Sequence, residues 1–392
     1  MNHLAADLFL SDLLSKRIIR SRMIRKMLEE KIIECTRELF YDISVLGKIV
    51  SDFRFSESER EKASQISKIK TDREKYIEKA HQCFVSGIRS LTESDPHYPP
   101  SFKNLTGMPL ILYTRGEEKL LCEAGNSVAV VGSRNPSGYG LRATDEIVGE
   151  LSRQNVNIIS GLARGIDTAA HKAALKESKK TVAVTACGLD RVYPPENRDL
   201  FEEIAMEGLL ISEMPPGQEA VRRYFPARNR IMSALSDVVA IIEAGEFSGT
   251  LHTASFAIAQ GRDVYVLPGG IYSPFCKGNL MLLRDGAELL LNAQDILYSL
   301  SGAVFSREMD DIRSGLMQTR IRDKIISAPE KLSRNEISHL LVDELKGGDK
   351  TIDELVETTR IPFATIAPVM SELLLSGMVS ERNERFTLTF PF

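Results

Sequence analysis

Beyond residue 93 the chain alternates short unbroken apolar runs with longer amphipathic stretches. The runs are "SVAVVGS", "VNIISG", "TVAVTA", "LLISEM", "DVVAIIEA" and "DVYVLPGG". Strands apolar on both faces, spaced by helical segments, predict an α/β fold with a doubly wound, mostly parallel sheet covered on either side. Upstream the period changes. Leu14, Ile18, Met23, Met27, Leu28 and Ile32 recur at roughly helical spacing and no proline occurs before Pro96. A helical N-terminal domain is therefore expected over residues 1–92. The prolines of "ESDPHYPPSF" mark the change, and the α/β domain is expected over 93–300. Residues 301–330, opening with "SGAVFSREMDDIRSG", read as a linker. Residues 331–392 then read as a winged helix: "TIDELVETTRI", a turn, "PFATIAPVMSELLLSGMV" and a hairpin in "SERNERFTLTF". Gly377 would stop the second helix and Arg382 to Glu384 would form the wing tip. That helix has no Lys or Arg between Pro362 and Val379, so base reading by it is not expected, and duplex-binding and protein-binding uses both stay open.

Composition narrows the function. With 43% hydrophobic residues over 392 positions the chain can fill more than one core, and its formal net charge of -4 excludes a protein that coats nucleic acid by bulk charge. Any nucleic-acid site must be a local patch, and one stands out. "AVRRYFPARNR", residues 220–230, holds Arg222, Arg223, Arg228 and Arg230 around Tyr224 and Phe225 with no acid among them. Guanidinium forks match phosphate oxygens, and flat rings can stack an unpaired base. The same residues would equally serve as a surface turn pinned by Pro226, with Phe225 in the core and the arginines paired to distant acids. Five cysteines lie far apart with no paired spacing, and no His stands at metal-ligand spacing, so no metal or disulfide framework is expected. No apolar run approaches bilayer length. A soluble, cytoplasmic protein without membrane contact is the expectation.

In a doubly wound sheet, ligands bind beyond the carboxyl ends of the strands. Several glycine-rich strand ends qualify. "VVGSRNPSGYG" sets Gly132, Ser133 and Arg134 after an apolar run, where backbone N–H groups and a helix N-terminus attract phosphate. The spacing is not that of a dinucleotide fingerprint. "IISGLARGIDTAAHKAAL" repeats the device with Gly161, a tight turn at Gly165, Asp167 as a helix cap and His171 on the helix surface. "EAGEFSGTLHTA" offers Ser248, Gly249 and Thr250 at a loop-to-helix junction, and the loop after "VYVLPGG" ends at Gly278 and Asn279. These groups hold phosphates rather than act as nucleophiles, and no catalytic residue is assigned.

Taken in order, "VVGSRNPSGYG", "ISGLARGIDTAAHKAAL", "ACGLDRVYPPENRDL", "LISEMPPG", "FPARNRIMSALSD", "IIEAGEFSGTLHTA" and "QGRDVYVLPG" closely resemble the DNA-processing protein A (DprA/Smf) family over about residues 93–297. The resemblance implies an extended Rossmann-like domain. The fold class becomes α/β, an extended Rossmann-like doubly wound, mostly parallel sheet with a helical N-terminal domain and a C-terminal winged helix. It also implies binding of single-stranded DNA without enzymatic turnover or cofactor, protection of incoming DNA in natural transformation, help in loading the recombinase RecA, and a homodimer formed through the Rossmann-like domain. Family DNA contacts fall on Arg134, Arg222 and Phe225, while Arg228, Asn229 and Arg230 match a motif with pocket-lining or structural roles. The expected DNA-binding set is completed by Gly132, Ser133, Gly161, Arg164, Arg223, Ser248, Gly249, Thr250 and Asn279. Two departures stand out: Lys277, Gly278 and Asn279 replace the family's G-T-N, and the N-terminal third lacks a glycine-centred helix-hairpin-helix signature. A competing enzyme class, the nucleotide-processing LOG/lysine-decarboxylase-like group, shares a P-G-G-x-G-T turn. "LPGGIYSP" begins like it, then puts Tyr272 and Ser273 where glycine and threonine are needed.

Overall fold

The computed structural model describes residues 2–16, 19, 21–46, 54–66, 72–103, 105–122, 126–177, 181–301, 334–346, 349–359, 361–375, 379–382 and 385–388. The chain forms two compact units, Met1–Leu300 and Ser301–Phe392. Beyond residue 301 the expected linker lies outside the described residues, as do Gly377 and the wing-tip positions 383 and 384.

The larger unit is built on one nine-stranded sheet. Its strands are β1 (Arg89–Leu91), β2 (Leu112–Gly116), β3 (Ser127–Val131), β4 (Asn157–Ser160), β5 (Thr181–Val184), β6 (Leu209–Ser212), β7 (Val238–Ile241), β8 (Asp263–Val266) and β9 (Glu288–Leu289), in the order β1-β2-β6-β5-β4-β3-β7-β8-β9. From β6 to β9 every neighbour is parallel, and β1 and β2 close one edge antiparallel. The apolar runs form the buried strands because a side-chain period of two loads both faces. Val128, Val130, Ile158, Val238 and Ala240 enter the core on one face, and Ala129, Val131, Ile159, Val239 and Ile241 the core on the other. The first face is covered by the helices Gly138–Arg153 and Ile166–Glu177, through Val148, Leu151, Ile166 and Ala170. The second is covered by Tyr224–Leu235 and Thr250–Ala259, through Ile231, Met232, Ala254 and Ala257.

The helical N-terminal region is present, with helices Asn2–Ser15, Ser21–Glu29 and Arg73–Val85, but it is not a separate unit. Leu8, Phe9, Met27 and Phe40 share one core with Ile111 and Tyr113 around β2 and with Phe201 and Ile204 of the helix Arg198–Glu207. β1 also precedes the compositional boundary at residue 93 and pairs with β2. A buried ion cluster fastens the two parts. Arg37 donates from Nε to both Asp7 oxygens at 3.1 and 3.2 Å, from Nη2 to Asp7 Oδ2 at 2.9 Å and Asp95 Oδ2 at 2.7 Å, and from Nη1 to Asp95 Oδ1 at 3.0 Å. Ser90 in β1 donates to Asp7 Oδ2 at 2.7 Å. Burial pushes the Asp7 carboxyl above its usual range despite Arg37, whereas at Asp95 the opposing burial is outweighed by the bonds from Arg37 and Thr92.

The smaller unit has the helices Arg334–Lys346, Ile352–Thr359 and Phe363–Leu375 and the antiparallel strands β10 (Lys350–Thr351), β11 (Val379–Arg382) and β12 (Arg385–Leu388), in the sheet order β10-β12-β11. Helix, strand, two helices and a hairpin are the order of a winged helix. Leu341, Leu355, Ile366, Met370 and Phe386 meet in its core. A reciprocal cap starts the second helix: Thr351 N donates to Glu354 Oε2 at 2.8 Å, and Glu354 N to Thr351 Oγ1 at 3.2 Å. The helix Arg334–Lys346 was not expected from the apolar pattern.

Removing Arg37 would leave Asp7 buried without its counter-ion. Arg37→Met is expected to cost about 3–5 kcal/mol of stability, read as a lower urea midpoint. A loss below about 1 kcal/mol would show that the cluster is dispensable.

Candidate nucleic-acid interface

β3 and β7 are parallel neighbours whose following helices, Gly138–Arg153 and Thr250–Ala259, pack on opposite faces of the sheet. The strand order reverses there, so a crevice opens above their carboxyl ends. A cleft of about 760 Å³ occupies that place. Of the expected residues, Gly132, Ser133, Arg134, Arg222, Phe225, Arg228, Asn229, Ser248, Gly249 and Thr250 line it. Gly161, Arg164, Arg223, Arg230 and Asn279 do not.

One wall is a stack of charge on aromatic faces. The exposed Arg134 guanidinium lies 5.0 Å from the centre of the Phe225 ring, and Tyr193 meets that ring at 5.6 Å and 64°. Arg222 is exposed on the same rim. Neither Arg134 nor Arg222 has an acidic partner among the described residues.

The other arginines of the patch are committed elsewhere. Arg228, expected at the DNA, is buried. Its Nη1 donates to Val184 O at 2.6 Å and also to Gly161 O, spanning the ends of β4 and β5. Burial lowers its pKa, the Arg134 charge adds to this, and the Asp167 carboxylate opposes it. Gly161 is glycine because a Cβ there would run into the Arg228 guanidinium, so it makes room for an internal group rather than for phosphate. Arg230 gives Nη2 to Glu213 at 2.6 and 2.7 Å. Arg223 lies against Tyr224, donating to its hydroxyl at 3.1 Å. Arg164 pairs with Glu196.

Two expected phosphate sites are filled from within. At the start of the helix Gly138–Arg153, the buried Glu243 carboxylate accepts from Ser137 N at 2.8 Å and Ser137 Oγ at 2.5 Å, and Ser137 Oγ accepts from Gly140 N at 3.1 Å. An internal anion thus takes the place expected for a phosphate. Gly132 owes its identity to packing, since a Cβ would come within 2.7 Å of Ile166. Asn279 is fully buried, accepting from Ala244 N at 2.7 Å and donating to Ile242 O at 2.8 Å and Leu267 O at 2.7 Å. It ties the ends of β7 and β8 together and is no surface contact. At the helix Thr250–Ala259, Thr250 N donates to Ser248 Oγ at 3.2 Å and Thr250 Oγ1 to Gly132 O at 3.2 Å, stitching the two strand ends across the cleft floor.

Asp167 and His171 also depart from expectation. Asp167 lies inside the first turn of its helix and accepts from Ala163 N at 3.3 Å, holding the preceding loop rather than capping the helix. His171 is buried, not on the surface: its Nδ1 donates to Thr181 Oγ1 at 2.7 Å, which itself donates to Ile158 O at 2.9 Å. Gly165 adopts φ +79°, the tight turn expected of it. Sequence reasoning missed Tyr193, Phe247 and Glu243. Tyr193 and Phe247 could have been noticed as aromatics in turns rich in proline or glycine, where an apolar run would not bury them.

Burial, and secondarily the Arg228 charge, pulls the His171 pKa from 6.5 to about 3. The unfolded chain takes up this proton near its ordinary pKa and the folded chain does not, so acid favours unfolding below about pH 6.5. At pH 5 the linkage amounts to about 2 kcal/mol. The fall in urea midpoint between pH 7 and pH 5 should flatten in His171→Asn, and an unchanged fall would remove His171 from the acid response.

The comparisons with known proteins cover this same region. The family model described as DNA recombination-mediator protein A matches residues 89–301. Protein Smf of Synechocystis sp. (strain ATCC 27184 / PCC 6803 / Kazusa) is 42% identical over 310 residues, 74% of this chain and 77% of the relative. DNA processing protein DprA of Bacillus subtilis (strain 168) is 37% identical over 214 residues, 55% of this chain and 72% of the relative. Among solved structures, DprA from Streptococcus pneumoniae aligns with a TM-score of 0.52 at 36% identity, covering 60% of this chain and 84% of that one. DNA processing protein A from Helicobacter pylori, described for its single-stranded DNA binding mode, aligns at 0.51 and 33%, covering 55% and 96%. The match spans more than half the chain and takes in every strand of the large sheet, so the chain belongs to the DNA recombination-mediator protein A family.

Proposed function

We propose that this protein mediates recombination by binding single-stranded DNA in the cleft above β3 and β7, without chemical turnover. The observation that carries this reading is the pair Arg134 and Arg222, two exposed cations on the cleft with no acidic partner among the described residues. The neighbouring Arg228 and Arg230 are engaged internally, and Arg164 pairs with Glu196 at the surface. In a chain of net charge -4 these two guanidiniums and the adjoining aromatic wall form a local anion site. Arg134 and Arg222 meet phosphates, Phe225 borders the bases, and Asn229, Ser248 and Thr250 shape the floor. The single-stranded DNA binding described for the Helicobacter pylori relative supports the same ligand.

Family membership supports the rest of the reading: a cytoplasmic protein that shields incoming strands in natural transformation and passes them to RecA, working as a homodimer through the Rossmann-like domain. Leu289, Leu291 and Tyr298 stay exposed beside the edge strand β9, which suits self-association. Binding without turnover is supported by Asp167 and His171, an acid and an imidazole held by loop and strand partners. The nucleotide-processing enzyme class finds no support in the turn at Tyr272 and Ser273, where its glycine and threonine would stand.

Fluorescence anisotropy with matched single- and double-stranded oligonucleotides across a salt series tests this. The wild type should prefer single strands. Arg134→Ala and Arg222→Ala should each weaken binding about tenfold and lower the salt slope by about one. Equal affinity for duplex, or both variants binding like the wild type, would sink the assignment. Release of ribose phosphate from nucleoside monophosphates would move the protein to the enzyme class.

A further inference from the structure

Phe247 lies in the turn joining β7 to the helix Thr250–Ala259 and lines the same cleft as Arg134 and Phe225, yet 94% of it is exposed. The turn beneath it is pinned. Ser248 N donates to Gly245 O at 3.1 Å, Ser248 Oγ donates to Thr250 Oγ1 at 3.0 Å, and Glu246 faces Lys277 at 3.7 Å. The ring is therefore held out into the cleft by a fixed backbone. The other six-membered rings of the lining are already in use: Phe225 meets the Arg134 and Arg228 guanidiniums at 5.0 and 5.9 Å and Tyr193 at 5.6 Å. A base laid on Phe225 has to displace one of these neighbours. Phe247 has no ring or cation partner among the described residues, and its neighbours in sequence, Glu246 and Ser248, are polar.

A bare phenyl face beside phosphate-seeking cations fits a ligand that joins a flat apolar surface to a negative chain, and an unpaired nucleobase on its backbone is that ligand. We propose that Phe247 is the platform on which one unpaired base of a bound strand stacks, while Phe225 serves as the bed of the Arg134 guanidinium. This rests on the single-stranded DNA reading above and adds a stacking position to it. Stacking releases no counter-ions, so Phe247 acts on affinity and not on its salt dependence, whereas Arg222 acts on both.

Since the chain contains no tryptophan, F247W installs a lone indole at the proposed platform. With a labelled oligothymidine, anisotropy reports binding independently of the indole. F247W should bind about as well as the wild type and lose indole emission as the strand saturates it. F247A should bind roughly five- to a hundredfold more weakly, with an unchanged salt slope and an unchanged urea midpoint. Wild-type affinity in F247A overturns the inference, as does unquenched indole emission in F247W at full anisotropy. A change in self-association alone would also overturn it, by assigning the ring to a protein partner. A wild type that does not bind the oligonucleotide brings down the functional reading itself, together with this addition to it.

Discussion

Burying the Arg228 guanidinium at the carboxyl ends of β4 and β5 takes a cation out of water, a large cost unless carbonyls and a carboxylate surround it. Much of the cleft follows from how that cost is met. Gly161 and Val184 turn their carbonyl oxygens to Nη1, Gly161 gives up its Cβ for space, and the Asp167 charge stands near enough to hold the cation in its charged form. The Arg228 charge, added to burial, helps keep His171 neutral in the next layer. Phe225, one turn earlier on the helix that carries Arg228, is thereby fixed at the cleft wall, and Arg134 can rest on it.

The arginines thus divide by environment rather than by sequence. Arg228 and Arg230 are three and five residues beyond Phe225 on the helix Tyr224–Leu235 and turn to the interior or to Glu213. Arg222 precedes the helix, where the backbone lets its side chain reach the rim. A run that looks uniform in composition becomes one internal brace, one ion pair, one cation laid on the neighbouring Tyr224 and one free cation on the cleft, because a helix begins in its middle.

The central strands of the sheet were legible because parallel strands buried on both faces must be almost wholly apolar, and "SVAVV", "TVAV" and "VVAI" are, apart from the leading Ser127 and Thr181. The edge strands β1 and β9, three and two residues long, carry too little pattern to be read. The N-terminal helices were legible as helices, but an apolar stripe says only that it needs cover. That the cover is Ile111, Tyr113 and Phe201 depends on contacts far apart in the chain. The site was legible as a region and less so as residues. A small or polar residue at a strand end suits phosphate, but it equally suits close packing or internal capping. Gly132 serves Ile166, and Asn279 serves three backbone groups, while the helix start after Ser137 already holds Glu243. Only long-range geometry separates these uses.

Charge alone selects poorly between single and double strands, because both carry phosphates and surface cations act only within about a Debye length, roughly 8 Å at physiological salt. In a protein of net charge -4 the long-range field gives no help either. The proposed selectivity for single strands must then come from what a duplex hides. Its bases are stacked on one another, so it has no free face to set against Phe247, and only an unpaired strand can bring a base to that ring and its phosphates to Arg134 and Arg222 together. On the proposed function, a cleft with two exposed cations and one bare phenyl ring would discriminate by stacking and use charge for attachment.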